Sequence, residues 1–155
     1  MVYLFYIVLV ILMIFLDQVS KYIIVSKFSL GQSIEIIKNF FSLTYVQNFG
    51  AGFSIMQNQT YTFYIITVLA VIILTYMLLK AKKEEKLNKI SYLLIIGGAF
   101  GNFIDRLTHI YVIDFLDFNL FGWDFPVFNI ADCFVTVGCG LLIIATILEY
   151  KHAKN

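Results

Sequence analysis

Charge is scarce in this chain. Of its 155 residues, 14% are charged and 61% are hydrophobic, where a water-soluble domain is about a quarter charged and about half apolar. The uncharged positions gather in long runs, which excludes an ordinary soluble domain and suits lipid as the solvent. A net charge of +1 leaves no global field for nucleic acid or an acidic partner. Histidine and cysteine are nearly missing as well. His109 and His152 are the only histidines, and Cys133 and Cys139 sit in the last apolar run, on different faces of a helix. No cluster with metal-ligand spacing can be assembled from these, so no metal and no cofactor are expected. The thiols read as small packing residues. The first apolar run, Val2 to Leu16, has no basic segment before it and no small-x-small site after it. It reads as a retained span rather than a cleaved signal.

About 20 apolar residues cross a bilayer, and four segments qualify: 2–25, 61–79, 90–108 and 130–148. The expected fold is an all-α membrane domain covering 1–155. The hinge between the second and third spans, Lys80-Ala-Lys82-Lys83-Glu-Glu-Lys86-Leu-Asn-Lys89, is short and lysine-rich, and Lys151 and Lys154 follow the fourth span. Short basic segments stay cytoplasmic, so both termini are expected inside and segments 26–60 and 107–129 outside. Phe41–Gln47 alternates bulky apolar with smaller or polar side chains, the pattern of a strand with two faces. Residues 115–128 are rich in phenylalanine, with Trp123 among them, a composition suited to the membrane interface. A small extracytoplasmic β-sheet and an extended interfacial loop roofing the polar residues are expected.

That orientation puts the ionisable residues of the spans near one surface. Acids and bases in lipid face a cavity or one another, which marks them as functional candidates. Asp17 and Lys21 are spaced i,i+4, acid first, and read as an ion pair that braces its surroundings. Asn48-Phe-Gly50-Ala-Gly52-Phe53 follows the strand; its glycines allow a tight turn, and Asn48 is a candidate contact for a substrate amide. Gly97-Gly-Ala-Phe-Gly101-Asn102-Phe-Ile-Asp105-Arg106 joins small residues for close helix packing to a polar triad at i, i+3 and i+4. Arg106, the only arginine, needs partners at that depth: Asp105, Asp17 or substrate carbonyls. Val112-Ile-Asp114-Phe and Phe128-Asn129-Ile-Ala-Asp132 supply two more acids. Taken singly, Asp114 is an ordinary loop acid and Asp132 closes a capping box with Asn129. Taken together, they flank a loop that can fold back and bring them face to face. Two such carboxyls share a proton near neutrality, so one accepts a proton from water while the other polarises a carbonyl. A proton-coupled transporter is the rival class; against it, the charges cluster on one side.

These five motifs, in this order on four spans, resemble the lipoprotein signal peptidases (signal peptidase II), bacterial inner-membrane aspartyl peptidases, over essentially the whole chain. The resemblance implies that Asp114 and Asp132 are the catalytic dyad. It implies that Asn48, Gly50, Asn102, Asp105, Arg106 and Asn129 line or brace the site, with Asp17 and Lys21 in support. It also implies a prolipoprotein substrate cut just before its diacylglyceryl-modified cysteine, inhibition by globomycin-type cyclic peptides, and action as a monomer in contact with membrane lipid.

Overall fold

A computed structural model describes residues 2–50 and 60–154; residues 51–53 of the glycine motif, Gly52 among them, lie outside that range. Four helices form: α1 (Val2–Lys27), α2 (Thr60–Lys80), α3 (Lys86–His109) and α4 (Ile130–Lys154). All four are long and apolar enough to cross a membrane, and the expected spans fall inside them. The least apolar, α3, is also the most buried. It packs against the other three helices, as a span carrying polar groups must if they are to avoid lipid. Its glycines permit this closeness. A β-carbon added at Gly101 would lie 2.6 Å from Asp17 Oδ2, and one at Gly98 would collide with the backbone oxygen of Ala131.

At one end of the bundle lies an antiparallel sheet of β1 (Ser33–Ile37), β2 (Phe41–Asn48), β3 (Val112–Leu120) and the two-residue β4 (Trp123–Asp124), in that order. The strand expected over 41–47 is β2. The aromatic segment expected as an extended loop begins as a strand: its first residues, 115–120, belong to β3, which pairs with β2. The sequence of β3, VIDFLDFNL, has no clean alternation, because its first four residues are buried on both faces. One face, with Ile113 and Phe115, packs on Tyr45 and on Ile24 of α1. The other carries Asp114. Ile110 ends α3 in the left-handed region at φ 60°, and this turns the chain straight into β3.

A bulge in β2 sets the register that matters. Leu43 pairs with Leu116, but Val46 pairs with Asp114, so β2 holds one extra residue and its alternation shifts there. Asn48 then shares a sheet face with Asp114.

Candidate active site

The fold gathers every sequence-derived candidate among the described residues at the sheet end of α1, α3 and α4. The innermost layer is ionic. Lys21, 1% exposed, places its Nζ 2.8 Å from Asp17 Oδ2 and 2.8 Å from Asp105 Oδ2, and donates to Asn102 Oδ1 at 3.0 Å. The expected i,i+4 pair is therefore a triad with Asp105. Each acid also accepts a backbone N–H from another element: Asp17 Oδ1 from Ala131 at 2.9 Å, and Asp105 Oδ2 from Ile113 at 3.0 Å. The triad thus ties α1 to the start of α4, and α3 to the residue before Asp114. Sequence reading missed Gln18, whose Nε2 donates to Asp105 Oδ1 at 2.8 Å and to the carbonyl of Gly101 at 3.1 Å. Its only signal was its place beside Asp17.

Above this layer stand Asp114 and Asp132, joined by one residue. Asn129, fully buried, donates its Nδ2 to Asp114 Oδ1 at 2.6 Å and its backbone N–H to Asp132 Oδ2 at 3.2 Å. Its Oδ1 accepts the backbone N–H of Asp132 at 3.0 Å, which completes the reciprocal capping box of α4. The remaining carboxylate oxygens are each met by an amide. Asn48 Nδ2 donates to Asp114 Oδ2 at 2.8 Å, and Asn102 Nδ2 to Asp132 Oδ1 at 2.7 Å. The amide orientations follow from their other bonds. Asn48 Oδ1 accepts Gly50 N at 2.9 Å, and Asn102 Oδ1 accepts from Lys21 and from Asn129. In this arrangement the Asn48 amide supports Asp114.

Arg106 pairs with neither of the two acids named as its possible partners. Among the described residues it makes no ion pair; Asp105 and Asp17 are taken by Lys21. Successive residues on a helix are about 100° apart, so Asp105 faces α1 while Arg106 turns to the other side. There its Nη2 donates to the Gly50 carbonyl at 3.0 Å, and the guanidinium lies 4.6 Å from the centre of the Phe63 ring, a cation–π contact. Tyr64 donates to the Arg106 carbonyl at 2.6 Å. Phe63 and Tyr64 carry no signal in the sequence, since they stand in an uncharged apolar span.

A cavity of about 260 Å³ opens over the two carboxyls, walled by Asn48, Gly50, Asn102 and Arg106 on one side and by Phe125, Pro126 and Phe128 on the other. Asp114, 1% exposed, has its carboxyl pushed up to about 7, first by burial and then by the charge of Asp132, against the pull of the Asn48 and Asn129 amides. The cluster counts four acids (Asp17, Asp105, Asp114, Asp132) against two bases (Lys21, Arg106). One retained proton reduces that excess, and Asp114 is placed to hold it.

Four helices fit to span a membrane, with a polar site at one end of the bundle, describe a class: polytopic membrane proteins with their working groups gathered near one surface. The signal peptidase (SPase) II family matches residues 9–148. The chain is 44% identical over 145 residues to a lipoprotein signal peptidase of Photorhabdus laumondii, covering 91% of this chain and 86% of the relative. Two solved bacterial membrane enzymes, determined by the in meso method at 2.3 and 1.9 Å, superpose with TM-scores of 0.89 and 0.82 at 38% and 40% identity. They cover 95% and 91% of this chain, and 90% and 91% of their own. The chain belongs to the signal peptidase II family and is a membrane protease.

Proposed function

We infer that the chain removes signal peptides from diacylglyceryl-modified prolipoproteins, cutting before the lipidated cysteine, with Asp114 and Asp132 as an aspartyl dyad. The observation that carries this is Asn129, which holds both carboxyls against one cavity while capping the helix that bears one of them. With one proton shared, the ionised carboxyl takes a proton from a water molecule and the resulting hydroxide attacks the scissile carbonyl. The protonated carboxyl hydrogen-bonds to the carbonyl oxygen and stabilises its developing charge. Collapse of the tetrahedral intermediate breaks the C–N bond, and a proton from the dyad leaves with the amine. The phenylalanine wall faces the membrane-held substrate, and a globomycin-type cyclic peptide would occupy the same cavity. The lysine hinge after α2 and the tail of α4 lie in the cytoplasm, so the dyad works at the extracytoplasmic side of a bacterial inner membrane, in a monomer. Purified protein should cleave a synthetic lipidated signal-peptide substrate, with or without chelator present. No cleavage of the lipidated substrate, or equal cleavage of the unlipidated one, would refute the assignment.

A further inference from the structure

A second cavity, its surface largely apolar, lies at the opposite end of the bundle. It is an open groove of about 270 Å³ between the start of α3 and the end of α4, with Leu87, Ala145 and Leu148 in its wall beside Glu84, Glu85, Lys86, Asn88 and Glu149. Three glutamates and one lysine are among the residues that line it. Asn88 is 7% exposed. It donates Nδ2 to Glu149 Oε1 at 2.6 Å, and its Oδ1 is buried with no donor among the described residues. Buried acceptors are almost always satisfied, so an orphan calls for a partner.

The catalytic end holds a comparable asparagine. There Asn102 makes the same bond, Nδ2 to a carboxylate of α4 at 2.7 Å, and its Oδ1 is met by the ammonium of Lys21 at 3.0 Å. Asn88 and Asn102 stand 14 positions apart on α3, two heptads, hence within about 40° of the same face. Both cavities therefore open on the α3–α4 seam. At one, the Lys21 ammonium meets the asparagine oxygen; at the other, no donor among the described residues does.

We propose that the cavity at Asn88 and Glu149 binds a lysine or arginine side chain from the basic segment that begins the substrate's signal peptide. This rests on the function and orientation inferred above, which put this cavity at the cytoplasmic end. Signal peptides start with a positively charged segment, followed by 7–15 apolar residues and the cleavage site. Asp132 and Glu149 are 17 positions apart, about 25 Å along the helix. A helical substrate segment of the same number of residues reaches from the cavity to the dyad, which fits the apolar core plus the few residues before the cut. The two cavities together would measure the substrate: charge at one end, scissile bond at the other. An ethanolamine headgroup offers the same ammonium, but no lipid headgroup comes with that length relation.

The full-length enzyme in lipid nanodiscs tests this with two lipidated substrates that differ only in the starting segment, lysines in one and glutamines in the other. Glu149→Gln keeps an oxygen for Asn88 and removes the charge. It should raise KM for the lysine substrate about fivefold, the upper range for an exposed ion pair, with kcat unchanged. The glutamine substrate, already at the higher KM with the parent, should not respond. Glu149→Lys should prefer a substrate with glutamates in the starting segment. Equal effects on both substrates would reduce Asn88–Glu149 to a helix clamp and overturn the proposal. An effect that follows the phosphatidylethanolamine content of the disc instead of the substrate charge would assign the cavity to lipid, and overturns it too. Cleavage of the glutamine substrate by the parent upholds the peptidase function independently; a parent that cuts neither substrate overturns both inferences.

Discussion

Asp132→Asn separates the two roles that Asp132 holds. If the residue only caps α4, asparagine should serve, since its carbonyl still accepts a backbone N–H. The geometry says otherwise. Asp132 accepts from two donors, the Asn102 amide at 2.7 Å and the Asn129 N–H at 3.2 Å. Asparagine has one oxygen, so in either orientation its NH₂ meets another donor. Asn102 cannot turn to help, because its oxygen already receives Lys21 and Asn129. One donor left unpaired in a buried site costs about 1–3 kcal/mol, which lowers thermal stability without preventing insertion. Turnover should fall much further, by about 10²–10⁴-fold, as expected when a positioned proton acceptor is lost. Asp114→Asn should fall comparably, since Asp114 also lies between two amide donors, and the double variant should be scarcely worse than either. In Asp132→Asn the pKa of Asp114 should drop from about 7, because the charge of Asp132 is the second-largest cause of its elevation. Infrared absorption of the protonated carboxyl reads this directly, and cleavage of a fluorescent lipidated peptide reads turnover. Purified Asp132→Asn turning over within tenfold of the parent would refute the dyad.

Three further outcomes are expected. Activity should decline above pH 7 as Asp114 loses its proton and decline again in acid as the dyad gains a second, a two-limbed profile belonging to the pair. Because the folded pKa of Asp114 is raised from 3.8 to about 7, the native state holds more protons than the unfolded one between these values. Its contribution to stability should therefore shrink as pH rises from about 4 to 7 and level off above, measurable by denaturation across that window. Arg106→Lys keeps the charge but loses the planar group over Phe63 and the reach to the Gly50 carbonyl; cleavage rates should fall, and parental kinetics would reduce Arg106 to a point charge. With Cys133 and Cys139 replaced, a cysteine at Lys38 should react with an impermeant thiol reagent in intact cells and one at Glu84 should not; labelling at Glu84 would invert the orientation.

Much of this architecture is legible in the residues alone, for a reason specific to lipid. A bilayer gives a spanning segment nowhere to satisfy its backbone except within its own helix, so uncharged length suffices to locate the spans, while the central place of α3 came only with the packing. The capping box of Asn129 and Asp132 was equally legible, since it is closed within four residues. Contacts between elements were not. Residues 112–120 lack strand alternation because both faces of their first half are covered, and only pairing with a bulged β2 makes them a strand and turns Asp114 inward beside Asn48. Arg106 was expected to meet Asp105, Asp17 or substrate carbonyls; the 100° between neighbouring helix positions gave Asp105 to Lys21 and left the guanidinium to a backbone carbonyl and an aromatic ring. Asp114 and Asp132, 18 positions apart, read singly as a loop acid and a helix cap, and as a pair only if the loop between them folds back. One asparagine side chain, bonded to the first while its backbone holds the second, makes them a pair, and that bond exists only once β3 lies against the start of α4.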